Sequence, residues 1–278
     1  MVDFALAGNY ITADKVGYDE ANTRGTAVLS GTANAVGNWA EIISAANNTI
    51  ASEWATVIIN GEPTGGADSS ELVNIALGAA SSEEVIIPNL AGFTSTVSNY
   101  HNYFHYTFPF RIPAGVRISA NCQSSDATRT NYVHLIRGQK PLNGLSGYNI
   151  VTAFGANTAD SAGVTVNRGT VDTYDHGWVQ IDPSTSIGIK GFVVSAHRAA
   201  PSWSNGMVTF EVGVGGSGSE VTIYGGHSII STSNENAGQG CTAFIPVGIA
   251  AGERIAIRAK SKIANADFDL DYIVYGVS

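Results

Sequence analysis

The sequence predicts an all-β protein built from two tandem antiparallel β-sandwiches of jelly-roll type, related by an internal duplication. Three segments recur in the same order, at offsets of 138, 137 and 137 residues. The matched pairs are Gly25–Thr32 with Gly163–Thr170, Val73–Val85 with Phe210–Thr222, and Phe108–Ser125 with Ile245–Lys262. The 278 residues include 32 glycines and only 13% charged side chains, which favours short strands and tight turns over helices.

Strands of the first copy are predicted from short apolar runs bounded by turn residues. Ala27–Ser30 and Asn38–Ile43 are expected to pair as a hairpin. Leu72–Leu77 alternates with a period of two, as a half-buried strand does. The strand that begins at Glu84 is expected to end at Pro88. The remaining strands of this copy are predicted at Trp54–Ile59, Tyr100–Phe110, Val116–Ala120 and Asn131–Ile136.

The second copy predicts the same order of strands and removes one ambiguity. Ala40–Trp54 taken alone resembles a helix, but the matched Val179–Phe192 contains Pro183, Gly188 and Gly191. Because proline and glycine disfavour a helix interior, neither segment is predicted to be helical. Strands are expected at Phe192–Ser195, Phe210–Val214, Arg254–Ile257 and Phe268–Tyr275.

The repeat also sets the expected boundaries. Residues 1–24 are expected to be an N-terminal arm or a first strand, and as an arm they would be the candidate docking segment. Residues 25–138 form the first predicted sandwich, 139–162 the connection, and 163–278 the second sandwich. Each copy is large enough to bury its own apolar core.

Composition narrows the expected compartment and partners. The formal net charge of −9 and the scattered 14 Lys and Arg argue against nucleic-acid binding. The first residues carry no secretory pattern, and no apolar run is long enough to suggest a membrane span. Cys122 and Cys241 occupy non-equivalent places in the two copies, so we expect two buried free thiols in a protein made in a reducing cytoplasm.

Three groups of residues are weighed as binding sites. Asp267, Asp269 and Asp271 alternate with apolar residues, so the carboxylates are expected to face outward, as a solvated face or as weak candidates for a Ca²⁺ site. His101 could share a strand face with Tyr103 and His105, as metal ligands or as part of an edge-strand surface. Exposed aromatic and imidazole groups that could bind a sugar or a receptor are Tyr100, His101, Tyr103 and Trp203.

Two matched pairs are interpreted as structural. Glu83 and Glu220 each follow a turn and are expected to cap backbone there, since a hydrolase would need a second carboxylate and a cleft. Trp39 and Trp178 are expected to anchor the two cores, with a sugar-stacking platform as the alternative. No cofactor and no catalytic residue is expected, so the protein is predicted not to be an enzyme.

The repeat segments resemble structural proteins of tailed bacteriophages. The residues that carry the resemblance are Val212–Glu220 with its degenerate copy Leu77–Glu83, and Phe110–Ile118 with its partner Val247–Ile255. These turns are similar to those of phage virion proteins built of jelly-roll domains. The resemblance implies a particle component and carries no catalytic residue over.

The leading hypothesis is therefore a virion protein made in the host cytoplasm, either a capsid decoration protein or a head or tail accessory protein. Its expected partners are major capsid or tail proteins and further copies of itself, with no nucleic acid and no membrane. The alternative is a receptor-binding or carbohydrate-binding tail module. An enzyme such as a polysaccharide depolymerase is the third and weakest hypothesis.

Overall fold

The computed structural model confirms the all-β class. It describes residues 3–6, 9–20, 24–62, 68–94, 103–126, 128–141, 148, 150–168, 171–174, 176–198, 206–231, 240–261 and 269–278, and every helix or strand assigned in these ranges is a β-strand. In the same ranges we find no helix with the length and apolar character needed to cross a membrane.

The first sandwich packs a seven-stranded sheet on a four-stranded sheet, and all pairings are antiparallel. The seven-stranded sheet comprises β1 (Asp3–Leu6), β2 (Asn9–Val16), β3 (Tyr18–Asp19), β4 (Arg24–Leu29), β6 (Trp54–Gly61), β9 (Tyr103–Phe108) and β11 (Thr130–Gly138). The first four-stranded sheet has the order β5-β10-β7-β8, with β5 (Ala40–Ile43), β7 (Ser69–Leu77), β8 (Glu84–Thr94) and β10 (Ile118–Ser124).

The second sandwich repeats this arrangement with fewer strands in its larger sheet. The five-stranded sheet comprises β12 (Val151–Phe154), β13 (Val164–Val166), β15 (Gly191–Arg198), β18 (Gly240–Cys241) and β20 (Leu270–Val277). The second four-stranded sheet has the order β14-β19-β16-β17, with β14 (Val179–Asp182), β16 (Gly206–Val214), β17 (Val221–Ser231) and β19 (Ile255–Ser261).

Equivalent strands have equivalent partners, which supports the duplication. β11 pairs with β2, β4 and β6, and β20 pairs with β12, β13 and β15. Gly17 and Gly155 both have a positive φ, of 75° and 83°. A Cβ at these positions would lie 2.5 Å from Ile42 Cγ2 and 2.7 Å from Ile181 Cγ2, so both bends require glycine.

Two predictions about the first copy are wrong. Ala27–Ser30 and Asn38–Ile43 do not form a hairpin, because β4 pairs with β11 in one sheet whereas β5 pairs with β10 in the other. β8 does not end at Pro88 but continues to Thr94. Its register shifts beside Asn89, whose φ is positive at 53°, and this irregularity accommodates the proline within an edge strand. Ala40–Trp54, in contrast, contains no helix, as predicted.

The segment 1–24 contributes strands to the seven-stranded sheet. β2 pairs with the second half of β11, and Asp14 on β2 accepts hydrogen bonds from Arg137 Nη2 at 2.9 Å and Nε at 3.1 Å. The guanidinium of Arg137 is buried and also donates to Asn48. Removing this segment would leave a buried cation without its carboxylate, so residues 1–24 cannot be treated as a detachable arm. β12 occupies the equivalent place in the second sandwich, although residues 139–162 were expected only to connect the two copies.

The apolar side chains form two clusters. One fills the second sandwich and includes Phe192, Phe210 and Tyr272. The other fills the first sandwich and extends to residues of the second sandwich that lie on the opposite face of its five-stranded sheet, namely Val151, Val193, Ile273, Tyr275 and Val277. The two sandwiches are therefore joined by a continuous apolar contact.

Candidate functional site

The contact between the sandwiches is organised around Tyr275. Its side chain is fully buried, and its ring packs edge-to-face against Tyr106 and Phe108 of β9, with centroids 5.4 Å and 6.2 Å away. The Tyr275 hydroxyl donates to the carbonyl of Asn89 at 2.9 Å and accepts from the N–H of Ala91 at 2.8 Å. One side chain of the second sandwich thus satisfies two backbone groups on the edge strand β8.

A second edge strand of the first sandwich, β9, is also covered. The thiol of Cys241 on β18 donates to the carbonyl of His105 at 2.8 Å. On the outer face of the first four-stranded sheet, Gln123 donates to the carbonyl of Thr158 at 2.7 Å and to the hydroxyl of Ser161 at 3.0 Å. Edges that could otherwise pair with a foreign strand are used internally, so the two sandwiches form one block.

The aspartates that were expected to face outward are partly buried. Leu270 and Tyr272 lie in the core of the second sandwich as predicted, but Asp271, on the opposite face of β20, is also buried and only 4% exposed. Asp269 is half-buried, and Asp267 lies outside the described residues. The strand pairing shows that Asp271 corresponds to Tyr132 of the first copy.

Asp271 lies beside a buried histidine that the sequence analysis missed. The Nε2 of His197 is 3.8 Å from the Asp271 carboxylate, whose Oδ1 accepts a hydrogen bond of 2.6 Å from Thr165. Burial lowers the pKa of His197 to about 4 and, together with Asp269, raises the pKa of Asp271 to about 6 against the opposing Thr165 bond. At neutral pH this histidine is neutral. No cluster of three metal-ligating side chains occurs among the described residues, Asp269 and Asp271 included.

A second buried carboxylate lies at the end of the first sandwich. Glu71 is fully buried, and its Oε1 accepts hydrogen bonds from Thr94 at 2.5 Å and Ser69 at 3.4 Å. Its Oε2 and the Oδ1 of Asn131 both lack a donor. Burial raises the pKa of Glu71 to about 7, although the nearby polar side chains of Thr94, Asn131 and Ser69 and the charge of Arg129 oppose the rise. Glu71 extends the series Val73, Ile75, Leu77 on one face of β7, so the period-two pattern could have revealed it.

The two matched tryptophans are not core anchors. Trp39 and Trp178 are both half-buried, and Trp178 covers Gly213, where a Cβ would lie 2.7 Å from its ring. Phe210 and Val212 of the same strand point into the core, so Trp178 lies on the outer face of the second four-stranded sheet. Space for a tryptophan there requires glycine on the strand beneath it.

Trp178 belongs to a polar and aromatic group on that outer face. The guanidinium of Arg258 lies 4.4 Å from the ring centres of both Trp178 and Tyr174 and is held by Glu211 at 2.6 Å. Burial and the neighbouring Glu211 raise the pKa of Tyr174 to about 12. Because the cation already contacts both rings, Trp178 does not offer the open platform that sugar stacking needs.

Glu83 and Glu220 are paired with arginines from the equivalent turn. Arg117 donates to Glu83 at 2.9 Å, and Arg254 donates to Glu220 at 2.5 Å. Burial by itself would raise the pKa of both carboxyls, but their own backbone N–H groups and the arginines outweigh it and lower both pKa values. The two ion pairs stabilise equivalent turns in the two copies, in keeping with the interpretation of Glu83 and Glu220 as structural.

The proposed aromatic binding residues are described only in part. Tyr100, His101 and Trp203 lie outside the described residues. Tyr103 is 53% exposed, and its ring meets that of His105 edge-to-face with centroids 6.3 Å apart. His134 lies near His105 and Lys15. Burial is the main cause that lowers the pKa of His134 to about 4, and the charges of Lys15 and His105 lower it further. These side chains belong to the outer face of the seven-stranded sheet.

The thiols are free, as expected. Cys122 is buried and Cys241 is half-buried. Burial, with the Glu71 carboxylate as a further cause, raises the pKa of Cys122 to about 12, and burial raises that of Cys241 to about 11. Both remain protonated at physiological pH, so neither has the thiolate character of a reactive cysteine.

Comparison with known proteins adds two similar structures. No family model and no curated protein matches the chain. A structure of PNGF-II in the C2 space group aligns over 95% of this chain and 65% of its own, with a TM-score of 0.37 and 10% identity. The CBM22-1–CBM22-2 tandem domain of Paenibacillus barcinonensis Xyn10C aligns over 99% of this chain and 93% of its own, with a TM-score of 0.29 and 11% identity. This chain thus spans just under two thirds of the length of the PNGF-II chain.

Proposed function

We propose that this protein is a structural component of a bacteriophage particle, a capsid decoration protein or a head or tail accessory protein, that acts by protein–protein contacts and not as an enzyme. The observation that carries the proposal is the contact between the two sandwiches. The second sandwich uses the outer face of its five-stranded sheet to cover the edge strands β8 and β9 of the first, which holds the duplicated modules at a fixed spacing.

A rigid double module suits a building block. Two contacts held at a fixed spacing engage a lattice together at little further entropic cost, so weak contacts combine into a strong one. The resemblance of the repeat turns to those of phage virion proteins directs the proposal to a phage particle. Major capsid or tail proteins would be the neighbours, and synthesis would take place in the host cytoplasm.

Particle fractionation tests this function. Phage particles from the source host are separated on a density gradient, and the chain is detected with an antibody. We expect it in the particle band at a constant ratio to the major capsid protein, because a structural component is present in fixed copy number. The purified chain run without particles is the control and should stay at the top of the gradient. Intact particles that lack the chain would contradict the proposal.

Carbohydrate or receptor binding is the second candidate, favoured by the exposure of Tyr103. An exposed aromatic ring can pack against the apolar face of a sugar. On a glycan array, this candidate predicts a specific ligand whose signal falls about tenfold in Tyr103→Ala, a loss of about 1.4 kcal/mol. The matched control is Val221→Ala, since Val221 is 65% exposed on the second sandwich. An array without any ligand, or equal loss in both variants, speaks against this candidate.

A further inference from the structure

The two sandwiches contact each other through different surfaces. The first sandwich contributes its edge strands and the outer face of its four-stranded sheet, and the second contributes the outer face of its five-stranded sheet together with the 157–161 turn. Because the chain is duplicated, each sandwich carries a counterpart of both surfaces. Among the described residues, one counterpart of each kind takes no part in the contact: the outer face of the second four-stranded sheet and the outer face of the seven-stranded sheet.

The residues that would meet if these two counterparts came together can be identified from the repeat. The segment from Gly17 to Gly25 corresponds to that from Gly155 to Gly163, so Glu20 occupies the position of Thr158. β10 pairs with β7 in the register in which β19 pairs with β16, so Lys260 occupies the position of Gln123. Within the chain, Gln123 and Thr158 are joined by the 2.7 Å hydrogen bond described above.

At the unused surfaces this hydrogen-bonded pair is replaced by opposite charges. Glu20 is exposed, and Lys260 is half-buried with its Nζ 4.9 Å from the centre of the Tyr174 ring. Neither forms an ion pair within the described part of the chain. Two residues earlier on β19, Arg258 stands at the position of Asn121, and its charge is paired with Glu211, which stands at the position of Asn74. Lys260 is therefore the charge that distinguishes this face from its counterpart.

We propose that the outer face of the second four-stranded sheet binds a second copy of the chain. The second copy contributes Glu20 and the outer face of its seven-stranded sheet, in the same arrangement in which the second sandwich contacts the first within one chain. Lys260 and Glu20 of two copies then form an ion pair where Gln123 and Thr158 bond within one copy. A contact between unlike surfaces leaves a free surface on each partner, so it builds a closed ring or an open filament. The inference rests on the proposed function, since it names one neighbour of the building block.

Charge exchange tests the contact. The full chain is compared with Lys260→Glu, Glu20→Lys and the variant carrying both, by sedimentation velocity over a wide range of concentrations. Each single variant should weaken self-association about tenfold or more, because like charges then face each other. The double variant should restore it, since the pair is reversed and not removed. Lys140→Glu is the matched control, because Lys140 is exposed two residues after the end of β11. This variant should leave self-association unchanged.

The outcomes separate this inference from the proposed function. Rings or filaments that respond to both single variants and recover in the double variant support the self-contact. A chain that is monomeric at every concentration, a two-fold dimer only, or an assembly insensitive to Lys260→Glu overturns it. If such a chain still enters phage particles, the particle function stands and a different virion protein covers this face.

Discussion

Replacing Tyr275 with alanine is expected to lower the free energy of unfolding by about 4 kcal/mol. The fully buried ring fills the space between the two sandwiches and contacts Tyr106 and Phe108. Its loss opens a cavity and leaves the N–H of Ala91 and the carbonyl of Asn89 without their partner. Urea denaturation followed by tryptophan fluorescence measures the change.

Tyr275→Phe separates packing from hydrogen bonding. It keeps the ring and removes the hydroxyl, so we expect it to cost about 1–2 kcal/mol. Tyr103→Ala is the matched control, because this exposed tyrosine should change stability by less than about 0.5 kcal/mol. If Tyr275→Ala is no more costly than Tyr103→Ala, the contact between the sandwiches is not what the structure describes, and the rigid block on which the proposed function depends is lost.

Replacing Glu71 with glutamine is expected to stabilise the protein at alkaline pH and to have little effect at acidic pH. The pKa of this buried carboxyl is about 7 in the folded protein and 4.5 in the unfolded chain. Between these two values the folded state retains a proton that the unfolded state has lost, so stability falls as the pH rises through this window. One unit of pKa corresponds to about 1.4 kcal/mol, which sets the loss above pH 7 at about 3 kcal/mol.

Glutamine cannot ionise, so the variant escapes this loss. We expect the free energy of unfolding of Glu71→Gln to exceed that of the parent by up to about 3 kcal/mol at pH 8 and to equal it at pH 4.5. Urea denaturation at the two pH values measures the difference. The Nε2 of the glutamine can donate to Asn131 Oδ1, which lacks a donor in the parent. Glu84→Gln is the control, because Glu84 is exposed on the neighbouring strand β8. Its stability relative to the parent should be the same at both pH values. A stability difference that stays constant from pH 4.5 to 8 would refute a buried carboxyl with a raised pKa.

Local patterns in the sequence predicted most strands, and the wrong hairpin shows where they fail. Leu72–Leu77 was identified from its alternation, and the duplicated segment excluded a helix at Ala40–Trp54. The hairpin between Ala27–Ser30 and Asn38–Ile43 was wrong because the chain passes from one sheet to the other between them. The choice between pairing within a sheet and crossing to the facing sheet is made by contacts with β10 and β11, far along the chain.

The candidate sites also show that local patterns predict the core-facing side of a strand and leave the environment of its other side undetermined. The alternation around Asp271 correctly placed Leu270 and Tyr272 in the core, yet Asp271 on the opposite face is buried as well. Trp178 was predicted to anchor the core, but it lies on the outer face of the sheet above Gly213. Neither outcome can be read from neighbours in the sequence, since each depends on what packs above the sheet.

Composition, the repeat and the period of two were sufficient to predict an all-β protein, its duplication and the approximate places of most of its strands, because these features arise from interactions between residues close in the chain. The packing of one sandwich on the other came from the folded structure, and with it the burial of Tyr275. An alternating strand specifies which side faces its own core, whereas the fate of the other side depends on surfaces that meet only after both sandwiches have folded.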